Sequence, residues 1–210
     1  VREHEVLYLE DDPYGLIRYE GQAQPSLFSL EGGEYVAYSS SFSKTVAPGV
    51  RVGYFAVKDP VIRDRAAKVV LYSTTNVSSI AQYGALGAME GSQQCIADFK
   101  TELMYRRDMF YKGIAEAAPG VFSGPPPDGA FYAFLKINPE FAKKAGITGE
   151  SLSWAMAEFL IKHARIGCVP GVDFGPQSEG YLRFCTCRSR EELTGALASM
   201  RTVFAATAKS

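Results

Sequence analysis

Charge of one sign, cysteine, histidine and long apolar runs are all scarce in this chain. Its 22 basic and 23 acidic side chains leave a formal net charge of −1. No basic tract interrupts that mixture, which excludes the electrostatic footprint of a nucleic-acid binder. No apolar run approaches the roughly 20 residues of a membrane-spanning helix. The opening segment, VREHEVLYLEDD, mixes both charges and offers no signal-peptide core. Cys95, Cys168, Cys185 and Cys187 are too few for a disulfide scaffold in 210 residues. Cys185 and Cys187 stand two apart in an extended-looking run, so both point to one face of a strand. A metal site needs further ligands, and neither this pair nor His4 or His163 has them at ligand spacing. The expectation is therefore no metal, buried free thiols and a cytoplasmic protein.

What is present reads as alternating strands and helices. Val6–Leu9 is a short apolar run ending in three acids, the pattern of a strand buried on both faces. In open α/β sheets, ligands sit at that carboxyl end. YVAYSSS (35–41) and VGYFAV (52–57) are two further strands, joined by a link too long for a tight hairpin. Helices are expected from Pro60, over SSIAQYGALGAMEG, and from about Ser92 to Ala118, where Pro119-Gly120 stops the last. FSGPPPDGAF (122–131) is the strongest break and the entry to a second domain. That domain reads as strand 131–137, helix 149–165 with Trp154 on its apolar face, strands 166–169 and 181–187, and a closing helix from Arg190.

One cation is oddly placed. Lys44 lies in SSSFSKTVAPGVRVGY (39–54), between two buried-looking strands. A loop lysine ordinarily just meets solvent. Here Ser39, Ser40, Ser41, Ser43 and Thr45 surround it, and Arg51 follows. Hydroxyls, backbone N–H groups and a guanidinium fork together make a phosphate receptor. An amine beside such a receptor points to a phosphorylated aldehyde held as a Schiff base, as pyridoxal 5'-phosphate is held. That cofactor's ring nitrogen needs an acid to keep it protonated. EDDPY supplies Asp11 or Asp12, with Tyr14 available for the ring's phenolic oxygen.

Together, LYLEDDPYG and SSSFSKTVAPGVRVGY resemble the class I/II aminotransferases of the aspartate aminotransferase superfamily, enzymes of fold type I. The resemblance implies an α/β fold: part of a large domain with a mostly parallel sheet and flanking helices, then a small α+β domain. It assigns residues 1–118, including the inter-domain helix, to the large domain and 119–210 to the small one. The family's Asp-x-x-Tyr fits Asp11 and Tyr14, which selects Asp11 for the ring nitrogen. Its Ser-x-x-Lys fits Ser41 and Lys44, with Ser41 and Ser43 on phosphate and Lys44 as the covalent anchor. Arg51 matches the phosphate-binding arginine. Downstream, IGCVPGVDFG resembles the family's Pro-Gly-x-x-Phe-Gly turn. YLRFCTC resembles the strand whose arginine grips the substrate α-carboxylate, here Arg183. An arginine in an apolar run is costly unless paired, and a bidentate carboxylate would pair it.

The implied activity is ping-pong transamination between an L-amino acid and a 2-oxo acid, by a cytoplasmic homodimer without nucleic-acid or membrane partners. Family members run to about twice this length, so the chain resembles their carboxyl-terminal half. The alternatives are another fold type I enzyme (a C–S lyase or synthase), an aminotransferase-like regulator domain, or a fragment without activity of its own. Ser41–Lys44 also matches the Ser-x-x-Lys of serine β-lactamases, but the partner tripeptides are missing and Pro48-Gly49 opposes the helix those enzymes need.

Overall fold

The computed structural model describes residues 2–4 and 6–207. Two compact units divide the chain, Val1–Lys100 and Thr101–Ser210.

In the first unit, β1 (Tyr8–Asp11) runs parallel to β2 (Val36–Ser41), with Tyr8 opposite Val36 and Asp11 opposite Ser39. Parallel neighbours need a long crossover, and residues 12–35 provide it. On its other edge β2 pairs antiparallel with β3 (Gly53–Val57), from Ala37 opposite Val57 to Ser41 opposite Gly53. Side chains alternate along each strand. Asp11, Ser39 and Ser41 therefore share one face, and Tyr38, Ser40 and Tyr54 share the other. Helix α1 (Pro60–Thr74) starts at Asp59, whose Oδ1 accepts from the Val61 N–H (2.7 Å) and Ile62 N–H (3.2 Å). Pro60 takes the first helical position, where a missing N–H does no harm. Helix α2 (Ser79–Glu90) follows, and α3 (Gln94–Ala117) contains the division between the units.

The burial expected for β1 is not found. Val6, Leu7 and Leu9 are 55%, 49% and 61% exposed. β1 is an outer strand of its three-stranded sheet, so its far edge has no ladder partner there. Among the described residues of this unit, only Ile17, Val36, Ala37, Val52 and Ala85 are buried apolar side chains.

The second unit has the developed core. Its antiparallel sheet comprises β4 (Phe122–Ser123), β5 (Tyr132–Ile137), β6 (Val169–Pro170) and β7 (Tyr181–Cys185), in the order β4-β5-β7-β6. Ala133, Leu135, Ile137, Leu182 and Phe184 are turned to one face and buried. Against that face pack α3, α5 (Leu152–Phe159) and α6 (Arg190–Thr207) through Ile114, Met156 and Met200. Fully burying one such side chain is worth about 1.5–3 kcal/mol. Phe184 meets Phe110 and Phe122 with ring centroids 5.6 and 5.7 Å apart. A short helix that the sequence reading omits, α4 (Pro139–Lys144), is capped by Asn138, whose Oδ1 accepts from the Glu140 N–H at 3.0 Å.

Trp154 is not a core residue; it is 49% exposed. The buried stripe of α5 runs instead through Ser153, Met156 and Ala157, and on through Leu160 and Ala164 of a π-helical turn (Leu160–Ala164). Ser153 can be buried because its Oγ accepts from the Gly180 N–H at 2.8 Å. Cys185 also departs from expectation, being exposed, while Cys187 is half-buried.

Candidate functional site

The first unit gathers the carboxylate, hydroxyls and lysine at one end of its sheet. Asp11 is the last residue of β1, and its Oδ1 accepts a 2.6 Å hydrogen bond from Ser39 Oγ across the parallel ladder. One residue on, the Asp12 N–H donates to the Ser39 carbonyl (2.9 Å), which extends the pairing into the turn. There Tyr14 presents its ring to Lys44, whose Nζ lies 5.6 Å from the ring centroid.

The loop that holds Lys44 is tied at both ends. The Phe42 N–H donates to the Val52 carbonyl (3.0 Å), and the Val46 N–H closes a turn onto the Phe42 carbonyl (2.9 Å). Ser41 Oγ accepts from the Ser43 N–H at 3.0 Å. A 3-10 turn, Pro48–Val50, then delivers Arg51 in the left-handed region at φ 52°, ψ 39°. Such a conformation is unusual for a residue with a Cβ and marks a position worth a functional hypothesis. The Arg51 guanidinium donates from Nη1 to the Pro48 carbonyl at 3.3 Å. Ser41 pairs with Gly53, so the loop that carries Lys44 and Arg51 leaves and rejoins the sheet at adjacent strand ends.

Asp12 is on the other side of the strand from Asp11. With Tyr38, Ser40, Ser41, Phe42, Thr45 and Tyr54 it lines a cavity of about 250 Å³. Burial, reinforced by the charge of Tyr54, pushes the Tyr38 phenol up to about 12, so it stays a protonated donor. The two adjacent acids are thus separated, with Asp11 held by Ser39 and Asp12 lining the cavity.

Arg183 belongs to the second unit and lies on β7 between the inward-facing Leu182 and Phe184. It consequently faces away from the core, next to Phe134, its partner across β5. Its guanidinium carbon lies 4.4 Å from the Tyr132 ring centroid and 4.5 Å from that of Phe174. Phe174 reaches this position from the 3-10 turn Gly171–Phe174. Gly171 is required there, since a Cβ would come within 2.3 Å of the Ser178 carbonyl oxygen. Aromatic faces this close hold the guanidinium by cation–π attraction.

Two features were outside the sequence reading. Ser39 figured as a loop hydroxyl, and only the strand register reveals it as the donor to Asp11. Tyr132 and Phe174 carried no signal as an arginine clamp, although the alternation of FYAFLKI places Tyr132 on the non-core face.

The residues present fit pyridoxal 5'-phosphate in donor chemistry. The Asp11 carboxylate suits a protonated ring nitrogen, the Lys44 amine an aldehyde, and the Ser41, Ser43 and Arg51 donors a phosphate.

The chain is similar to known proteins over nearly its whole length. The chain is 32% identical over 209 residues to a probable aspartate aminotransferase of Methanocaldococcus jannaschii, covering 96% of this chain and 51% of that one. It is 32% identical over 205 residues to aromatic-amino-acid aminotransferase 2 of Thermococcus litoralis, covering 96% and 49%. The crystal structure of an aromatic aminotransferase from Pyrococcus horikoshii superposes with a TM-score of 0.85 at 30% identity, covering 98% of this chain and 53% of that one. The chain therefore has the mixed α/β architecture of fold type I and spans about half the length of the curated relatives it matches. With the model of aminotransferase class I and II matching residues 1–200, the chain belongs to that family.

Proposed function

We propose that the protein is a pyridoxal-phosphate-dependent aminotransferase, moving an amino group from an L-amino acid to a 2-oxo acid in two half-reactions. The observation that carries this reading is the strand-end cluster. Asp11 is fixed by Ser39 (2.6 Å) and Lys44 lies over Tyr14 (5.6 Å), in a chain of this family.

Bound pyridoxal phosphate supplies an electrophilic aldehyde and an electron sink conjugated to it. Lys44 Nζ would hold the cofactor's aldehyde covalently, and its amine would serve as the base that carries the substrate's α-proton. Asp11 keeps a proton on the ring nitrogen, and the bond from Ser39 Oγ fixes its orientation. Tyr14 bonds the phenolic oxygen. Ser41, Ser43 and Arg51 take up the phosphate, Arg51 through charge-assisted hydrogen bonds. Arg183 grips the α-carboxylate with its in-plane donors. Residues 1–118 belong in this reading to the cofactor-binding domain and 119–210 to the small domain, in a cytoplasmic homodimer.

The test is borohydride trapping. Pyridoxal phosphate added to the protein gives an absorbance band above about 400 nm, reduction fixes the adduct, and a peptide map is expected to find it on Lys44. A reduced label on other lysines, with Lys44 unmodified, would refute the reading.

A further inference from the structure

Cys185 and Cys187 form a pair that the proposed catalytic cycle does not use. Their Sγ atoms are 3.0 Å apart, inside van der Waals contact. Closing that gap to a disulfide bond of about 2.05 Å requires a movement of only about 1 Å. Two residues of extended chain span about 6.8 Å, the upper end of the Cα separation a disulfide tolerates. Regular strand geometry ends at Cys185, so the chain beyond can bend inward.

The segment is also pinned. The Thr186 N–H donates to the Phe131 carbonyl (2.9 Å), and Arg106 Nη1 donates to the Cys187 carbonyl (2.9 Å). The thiols meet without either strand end having to move far.

Their surroundings separate the two sulfurs chemically. The contact with the Cys187 sulfur lowers the Cys185 thiol to about 6 against the opposing effect of burial, and the Arg183 and Arg188 guanidinium groups add to the lowering. Cys187 is pushed up by the same contact, then by burial. One thiolate and one thiol, the nucleophile exposed, is the arrangement that exchange chemistry uses. Cys168 contrasts with it, since burial pushes that thiol up to about 12 and makes it inert. Metal binding is a poorer use of the pair, because no cluster of three His, Cys, Asp or Glu ligands exists among the described residues.

We propose that Cys185 and Cys187 form a reversible dithiol–disulfide site whose reaction partner is a low-molecular-weight disulfide. Cys185 Sγ attacks one sulfur of the disulfide RSSR, forming Cys185–S–S–R and expelling RS⁻, which takes up a proton as RSH. Cys187 then loses its proton and attacks Cys185 Sγ, expelling the second RS⁻. The protein gives up two electrons and two protons, and RSSR is reduced to two RSH. The site goes beyond the aminotransferase reading and stands whether or not that reading holds.

The full chain, reduced, is incubated with oxidised glutathione, alkylated and digested with trypsin. Arg183 and Arg188 bracket both cysteines, so one peptide, FCTCR, reports the pair. The peptide is expected unalkylated and about 2 Da lighter than its dithiol, with free thiols falling from the chain's four to two and dithiothreitol restoring them. Cys187→Ser is expected to stop at a glutathione adduct on Cys185. Exposed Cys95, which has no neighbouring thiol, acts as the internal measure of ordinary reactivity. The proposal is overturned if both FCTCR cysteines are alkylated while Cys95 carries glutathione, or if the wild-type peptide retains glutathione on Cys185. The wild-type peptide decides even if the serine variant does not fold.

Discussion

Arg51 offers a test in which stability and affinity part company. Its backbone sits at φ 52°, ψ 39°, where a Cβ crowds the following carbonyl and costs about 1–2 kcal/mol. Glycine removes that strain but gives back about 0.5–1 kcal/mol through the greater freedom of its unfolded chain. Arg51→Gly should therefore be between neutral and about 1 kcal/mol more stable than the parent. Arg51→Ala keeps the Cβ and the strain. The glycine variant is expected to exceed the alanine variant by about 1 kcal/mol, the reverse of their order in a helix. The exposed bond to the Pro48 carbonyl, at 3.3 Å, is lost equally in both and does not affect the comparison. Cofactor affinity behaves differently, because both variants lack the guanidinium. Losing a charge-assisted hydrogen bond to phosphate is worth about 1.5–3 kcal/mol, or about 10- to 150-fold in Kd, the same for each. Urea unfolding supplies the first comparison and pyridoxal-phosphate titration the second. A glycine variant less stable than the alanine variant would refute the strain argument, and cofactor affinity unchanged in both would remove Arg51 from the proposed phosphate site.

Two other outcomes follow from the second unit. Hydrogen bonds from Arg190, then from Arg106, hold the Glu102 carboxyl down from 4.5 to about 2, so its contribution to stability is complete above pH 4.5 and lost as pH falls towards 2. Glu102→Gln should flatten the pH dependence of the urea midpoint in that window, and an unchanged acid limb would refute the pairing. Phe174→Leu keeps apolar bulk but removes the ring over Arg183, worth about 0.5–1 kcal/mol at a partly exposed site. KM for the amino-acid substrate is then expected to rise about 2- to 5-fold with kcat unchanged, and wild-type kinetics would remove cation–π positioning from the account.

Much of the fold was legible because local chemistry agreed with it. Asp59-Pro60 reads as a cap followed by a first helical residue, and α1 starts there. FYAFLKI alternates, and the structure buries Phe131, Ala133, Leu135 and Ile137 while leaving Phe134 and Lys136 exposed. The misreadings share one physical cause: sequence reports what a side chain prefers, and structure decides what is available to cover it. The apolar residues at 6–9 read as a doubly buried strand, yet Val6 and Leu7 are 55% and 49% exposed and Leu9 is 61% exposed. In α5 the preference was overruled by a hydrogen bond. Ser153, satisfied by the Gly180 N–H, takes the inward position, and Trp154, one residue off the stripe, stays outside.

The candidate site divides along the same line. Residue types were legible, because an amine, a carboxylate and a ring of hydroxyls at motif spacing say what chemistry is possible. Register was not. The choice between Asp11 and Asp12 depends on which of two adjacent acids faces Ser39, and a shift of one residue in the β1–β2 ladder would exchange them. The pairing of Asp11 with Ser39 is fixed by long-range contact along the parallel strands, which no local pattern encodes. Arg183 shows the converse. Alternation within YLRFC already required that Leu182 and Phe184 facing one way turn Arg183 the other way. The arginine is tolerable in an apolar strand because its face of the sheet bears aromatic rings in place of aliphatic core. Those rings hold the guanidinium by cation–π attraction. A buried ion pair would have consumed the same donors, and the strand would then have carried a structural salt bridge in place of a guanidinium held between rings.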